Sequence, residues 1–199
     1  MLEWYRAGAD YMDILLEMQA LLPVVAGVVS DATGKPPAID VEQGWEMETV
    51  SAVYRRWAGW DPVETFDGGR FDLDMVNVIE PALPRDRCFV LLDYPVEVAA
   101  LARRKPGRET VAERWELYGG GLELANAFSE LTDAVEQRAR FLECAALKAA
   151  DGEPVYGLDE GFLAALESGL PACAGVALGV DRLLMALTGE EDIANVRLF

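Results

Sequence analysis

Two short stretches hold the residues whose types and spacing could do chemistry. In Gly121-Leu122-Glu123-Leu124-Ala125-Asn126-Ala127-Phe128-Ser129-Glu130-Leu131-Thr132-Asp133, two carboxylates and an amide interrupt an otherwise apolar run. A buried charge is tolerated when it is paired or metal-bound, so Glu123 and Glu130 ask for cations, with Arg182 and Mg2+ as candidates. Seven residues apart, the two glutamates share a face on a helix, whereas on a strand they point to opposite faces unless a bulge intervenes. Structural salt bridges and a metal or ligand site both satisfy that spacing. In Ala174-Gly175-Val176-Ala177-Leu178-Gly179-Val180-Asp181-Arg182-Leu183-Leu184-Met185, small residues in a strand-like run precede an Asp-Arg pair that opens an apolar helix. Such a run lets backbone approach a ligand closely beside a fixed cation, the outline of a nucleotide site. A buried strand followed by a helix, with Asp181 as N-cap and Arg182 paired to a surface carboxylate, fits the same residues.

These groups need elements to hold them. Asp10 to about Val29 places Tyr11, Ile14, Leu15, Met18, Leu21, Leu22 and Val25 on one helical stripe, with Pro23 as a kink or boundary. Residues 30 to 46 read as a loop, Thr49 to Trp57 and Asp72 to Ile79 as short helices, so about 30–86 reads as a small helical insertion beside a sheet. Cys88 to Leu92 reads as a strand ending at Asp93-Tyr94-Pro95. Arg114 to Tyr118 and Leu122 to Leu131 read as an antiparallel pair joined by Gly119-Gly120-Gly121, glycines that tolerate the positive φ of a tight hairpin. Asp133 to about Ala150 is expected as a helix with Val135, Ala139, Leu142, Ala146 and Leu147 inward, and Asp159 to Gly169 as a shorter one.

Composition narrows the chemistry. The 199 residues are 52% apolar, enough for one sizeable core. Lys plus Arg number 17 against 35 acidic residues, a formal charge of -18 that opposes unaided binding to nucleic acid or anionic membrane. The dense basic patch is Arg103-Arg104-Lys105 with Arg108, readable either as a polyanion contact or as a solvated loop. Histidine is absent, which excludes Ser-His-Asp hydrolysis and the common His-containing zinc sites. Cys88, Cys144 and Cys173 lack a C-x-x-C spacing and read as reduced, buried thiols of a cytoplasmic protein. No apolar run is read as reaching the roughly 18 residues of a bilayer span.

The run G-L-E-L-A-N-A-F-S-E-L-T-D at 121–133 resembles the G-x-E-x-A-N-x-F-x-E-L segment shared by lysyl-tRNA synthetases and the elongation factor P lysine aminoacylases. G-V-A-L-G-V-D-R-L at 175–183 resembles motif 3 of the class II aminoacyl-tRNA synthetases. Met1-Leu2-Glu3-Trp4-Tyr5-Arg6 is similar to the T-M-L-E-W-Y segment closing motif 2 of the aminoacylases, and Asp93-Tyr94-Pro95-Val96-Glu97-Val98 to the D-Y-P-V-E of the lysyl synthetases. The resemblance implies an α+β fold, an antiparallel sheet flanked by helices. It implies ATP and Mg2+ as cofactors, with Glu123, Leu124, Gly179 and Arg182 against ATP, Glu123 and Glu130 toward Mg2+, and Arg182 and Glu123 as the catalytic pair. It places Tyr5, Glu3, Asn126, Ala177 and Glu130 around the amino acid. The implied activity is activation of lysine or (R)-β-lysine as an adenylate and transfer to a lysine of elongation factor P.

Ala177 stands where lysyl synthetases carry glycine, and its methyl narrows the amino-acid pocket in the aminoacylase manner. Ser129 stands where the aminoacylases carry histidine, as in lysyl synthetases. Motif 1, which builds the dimer interface of the family, and the first half of motif 2, with its R-x-E, have no counterpart in the chain, so residues 1–199 read as a partial catalytic domain. A homodimer, a non-catalytic ATP- or amino-acid-binding fragment and lysyl-tRNA synthetase activity stay open, although the acidic balance and the lack of room for an anticodon-binding domain oppose tRNA.

Overall fold

A computed structural model describes residues 1–150 and 152–197. In chain order the elements are β1 (Leu2–Ala7), α1 (Tyr11–Thr33), β2 (Glu46–Thr49), α2 (Val50–Val53), α3 (Gly68–Asp74), α4 (Glu80–Ala82), β3 (Phe89–Pro95), β4 (Arg104–Lys105), β5 (Arg108–Gly119), β6 (Leu122–Ser129), α5 (Ala134–Ala150), α6 (Glu160–Glu167), β7 (Cys173–Leu178) and α7 (Val180–Thr188). The seven strands form one sheet in the order β1-β7-β6-β5-β3-β2, with β4 beside β5. Every pairing is antiparallel except β2 with β3. The α+β architecture read from the sequence is the observed one.

Alternation along the strands gives the sheet two different faces. Trp115, Leu117, Ala125, Ala127, Ala174, Val176 and Leu178 point to one side, where they meet Ile14, Leu15, Met18 and Leu22 of α1 and Leu183, Ala186 and Leu187 of α7. On the opposite side, the front, Phe89, Leu91, Tyr94 and Tyr118 are covered by Val50, Val53, Tyr54, Phe71 and Ile79 of the 50–83 segment. That cover reaches only the β3 and β5 half of the sheet, so the front of β6, β7 and β1 is left uncovered among the described residues.

Helix α1 starts at a capping box, Asp10 accepting from the Met12 and Asp13 amides while Asp13 accepts from Asp10, and it stops at Gly34 with φ 69°. It runs through Pro23 without a break. Contrary to the sequence reading, α1 is long and apolar enough to cross a bilayer by length and composition alone, with mean hydropathy 1.7. Its Tyr11, Ile14, Leu15, Met18, Leu22 and Ala26 are buried on the sheet, which is what an apolar core helix requires.

Three local expectations are corrected. The 30–86 stretch contributes not only helices but the edge strand β2, in register with β3 from Glu46 opposite Phe89 to Thr49 opposite Leu92. Helix α5 turns its apolar stripe outward: Val135 is 81%, Leu142 54% and Leu147 63% exposed, while Gln137 and Arg140 are buried. The reason is its neighbour, a loop of bare carbonyls: Arg140 donates to Ala99 O (3.0 Å) and Ala102 O (2.8 Å), and Gln137 Nε2 to Ala100 O (3.0 Å). Cys144 is exposed rather than buried: although seven residues after Gln137 and so on the same helix face, it borders a surface cleft with Phe141, Tyr156 and Leu158.

Candidate active site

The site grows from one irregularity. Across the β5-β6 hairpin, Tyr118 faces Glu123 and Leu117 faces Ala125, so Leu124 is an extra residue bulged out of β6. The bulge puts Leu124 and Ala125 together on the helix side and reverses the alternation before them. Glu123 therefore shares the front face with Asn126, Phe128 and Glu130, which a regular strand would forbid. The hairpin that precedes it depends on glycine: Gly120 and Gly121 have φ 66° and 81°, and a Cβ on Gly121 would lie 2.3 Å from Arg85.

Cross-strand pairing then assembles two rows on the open front. Glu3, Ala177, Asn126 and Glu116 stand side by side across β1, β7, β6 and β5. Tyr5, Gly175, Phe128 and Arg114 form the next row. Gly175 is where the Tyr5 ring crosses β7, since a Cβ there would sit 2.6 Å from the ring. Beyond the second row lies Glu130, its amide donating to Cys173 O at 2.9 Å. Burial, then the negative fields of Glu130 and Glu3, push the Tyr5 phenol up, a sign that these groups face one space.

Glu130 has no ion-pair or side-chain hydrogen-bond partner among the described residues, and burial alone pushes its carboxyl up to about 7. A half-buried carboxylate in that state lacks the countercharge that would hold it ionised. Its backbone is held from several sides: Tyr11 N donates to Ser129 Oγ (3.0 Å), Arg103 N to Ser129 O (2.8 Å) and Leu131 N to Leu101 O (2.9 Å). Tyr11 is fixed in turn by buried Asp93, which sits in a β3 irregularity at φ 60° and accepts from Tyr11 Oη (2.8 Å) and Lys105 Nζ (2.7 Å).

At the other end of β6, Arg182 donates to Glu123 O at 2.9 Å and lies 3.4 Å from its carboxylate. Burial and then the nearby Glu116 raise the Glu123 pKa, outweighing the opposing pull of Arg182. Residue Gly179, not Asp181, is the N-cap of α7, which removes the capping role the sequence left open for Asp181. Gly179 N donates to Leu124 O (2.8 Å), tying α7 to the bulge. A Cβ at Gly179 would meet only ordinary contacts, Leu124 O at 3.5 Å and Arg182 Cβ at 3.6 Å, and packing therefore does not select glycine there. Bare backbone instead keeps open a cleft of about 410 Å³ lined by Glu123, Leu124, Asn126, Ala177, Gly179 and Arg182.

Eight of the nine residues singled out from the sequence thus border one face, with Leu124 on the helix side at the edge of the cleft, but Glu123 and Glu130 do not converge on one metal ion. Seven residues along a strand separate them by about 20 Å, and no cluster of three metal-ligating side chains occurs among the described residues. The basic segment is consumed internally: Arg103 pairs with Glu113 (2.5 Å), Arg104 with Glu136 (2.7 Å) and Lys105 with Asp93 (2.7 Å). Sequence reasoning missed Glu116, Arg114 and Gly175. Glu116 breaks the apolar strand Trp115 to Tyr118 as Glu123 breaks its own, and the same test would have found it. In the fold Glu116 accepts from Tyr94 Oη (2.5 Å) and Tyr118 Oη (2.7 Å) and pairs with Arg114 (2.5 Å).

Comparison with known proteins adds an independent line. The family model for tRNA synthetases class II (D, K and N) matches residues 1–199. An elongation factor P-(R)-β-lysine ligase of Klebsiella pneumoniae is 49% identical over 221 residues, covering 100% of this chain and 64% of that protein. The ligase of the same name from Vibrio cholerae serotype O1 is 38% identical, again with 100% and 64% covered. A lysine-tRNA ligase of Moorella thermoacetica is 36% identical, covering 100% of this chain and 45% of that protein. The chain thus spans between about half and two thirds of the length of these relatives.

Proposed function

Because this chain belongs to the class II tRNA synthetases of the D, K and N group, we propose that it activates lysine or (R)-β-lysine with ATP and passes the acyl group to a lysine of elongation factor P. The observation that carries this reading is the shared front face of β6, which holds a cation-seeking carboxylate, Glu130, at one end and the Arg182 and Glu123 pair beside an open cleft at the other.

Class II synthetases use ATP, and the cleft of about 410 Å³ is the place for it here. Its floor is the bare backbone of Gly179, under adenine and ribose, with Leu124 at its side. Arg182, whose side chain is 53% exposed, has a fork free to meet the γ-phosphate. Mg2+ is held by one or two carboxylates plus substrate phosphates, and Glu123 fits that need, with Glu116 close behind it. Bound there, the ion would neutralise phosphate charge. Glu130 receives an ammonium of the amino acid, Tyr5 and Glu3 wall the same pocket from β1, and Ala177 narrows it in the row between Glu3 and Asn126. In the reaction a carboxylate oxygen of the amino acid attacks the α-phosphorus, forming the acyl-phosphate bond as pyrophosphate leaves. An amine of the acceptor then attacks the carbonyl carbon, and AMP departs with the bonding pair.

The test is exchange of labelled pyrophosphate into ATP, with lysine and (R)-β-lysine compared. Exchange with either establishes activation, and a preference for β-lysine supports the aminoacylase role over tRNA charging. Calorimetric binding of ATP or lysine without exchange would replace the proposal with a binding module.

A further inference from the structure

Arg114 and Asn126 belong to one contact on the front face. Arg114 is only 17% exposed, and its guanidinium is committed on three sides: Nε to Asn126 Oδ1 (3.1 Å), Nη1 to Val98 O (2.6 Å) and Nη2 to Glu116 Oε1 (2.5 Å). The guanidinium also lies over the Tyr94 ring, 4.6 Å from its centroid. Arginine donates and never accepts, so the Asn126 atom facing it must be the carbonyl oxygen. The other end of the amide, Nδ2 with its two hydrogens, has no protein acceptor among the described residues. Asn126 borders both the cleft of about 410 Å³ and a side cavity of about 250 Å³ formed by Val98, Ala99, Ala100, Leu101, Ala102 and Phe128.

We infer that Arg114 is a positioning residue: by holding Oδ1 of Asn126 it fixes the amide in one orientation, so that the open cleft meets a hydrogen-bond donor and selects a substrate oxygen there. This deepens the proposed function and rests on it for the identity of the substrate oxygen, a carboxylate of the amino acid. Glu130 meets the positive end of the substrate, and Asn126 meets an oxygen. The orientation has an electrostatic reason as well. A flipped amide would turn its own oxygen toward the cleft, where the substrate carboxylate would meet a second acceptor. The Glu116 contact keeps the guanidinium from swinging away, because Glu116 is itself anchored by Tyr94 and Tyr118.

The chain has only three asparagines, Asn77, Asn126 and Asn195. Selective 15N-asparagine labelling therefore gives three side-chain amide pairs, and Asn126→Asp identifies the one from Asn126. In Arg114→Met the Asn126 pair should move, while those of Asn77 and Asn195 stay in place and report an intact fold. Arg114→Lys, which keeps the charge but loses the fork, should shift the same pair and serves in place of Arg114→Met if that variant does not fold. In pyrophosphate exchange, both should raise the amino-acid KM by about tenfold, the loss of one well-aimed hydrogen bond, with the ATP KM changed far less. An Asn126 pair that keeps its wild-type shifts in a folded Arg114 variant would overturn the inference. Exchange by neither lysine nor β-lysine in the unmodified chain would overturn the functional reading instead, while the amide spectrum still decides the orientation.

Discussion

Replacing Glu130 with glutamine should make the free protein more stable and the enzyme useless, and the size of the gain should depend on pH. The Glu130 carboxyl has its pKa raised from 4.5 to about 7 by burial. Between those values the native state holds a proton that the unfolded chain has released. Native stability therefore falls as pH rises through that window, and the loss is complete above about 7. At 1.36 kcal/mol per pH unit the gap corresponds to about 3 kcal/mol, and solvent around a half-buried group brings this to about 1 to 3 kcal/mol. Glu130→Gln removes the charge and recovers this energy. Urea midpoints measured from about pH 5 to about pH 8, at unchanged m-value, should show the variant drawing ahead only as pH rises. At the upper end the melting temperature should be higher by about 2 to 10 °C for a domain of this size. Pyrophosphate exchange should be lost at the same time, because the ammonium has no counter-charge. A stability difference that is the same at all pH values, or a variant less stable at the alkaline end, would refute the reasoning.

Two further substitutions test the neighbouring parts. Gly175→Ala places a methyl 2.6 Å from the Tyr5 ring and must displace it; the amino-acid KM should rise about tenfold, and adding the same change to Tyr5→Ala should cost nothing more. An equal penalty in both backgrounds would mean that Gly175 acts on something other than Tyr5. Arg182→Gln should lower exchange by on the order of 100-fold, as loss of a positioned charge donor does, with little change in melting temperature because its pair with Glu123 is more than a third exposed. A large drop in thermal stability would return Arg182 to a structural role.

The sequence made the hairpin, α1 and the β7-α7 unit legible because each carries its own local signal: consecutive glycines, a capping aspartate, and small residues before an apolar helix. It also posed the right question at Glu123 and Glu130, whose shared face hung on a bulge. No local signal marks that bulge, since Leu124 is an ordinary apolar residue and only the partner strand decides which residue is left over. β2 was missed because Glu46-Met47-Glu48-Thr49 has a single β-branched residue and no aromatic, and β3 supplies the ladder that makes it a strand. α5 was read with its faces exchanged because hydropathy assumes an apolar neighbour, whereas this helix packs on the carbonyls of Ala99, Ala100 and Ala102. Within the site, single residues were legible and rows were not. Glu116 and Arg114 join Asn126 only through strand register, which one sequence does not display.

The two sides of the candidate pocket are tied into the sheet differently. Asn126 and Ala177 lie on β6 and β7, each hydrogen-bonded to a strand on both sides. Glu3 and Tyr5 lie on β1, which among the described residues is joined to the sheet by β7 alone. Glu3 and Tyr5 are therefore placed by the β1-β7 register alone: a slip of one residue would turn both toward the helix side and empty that wall of the candidate pocket.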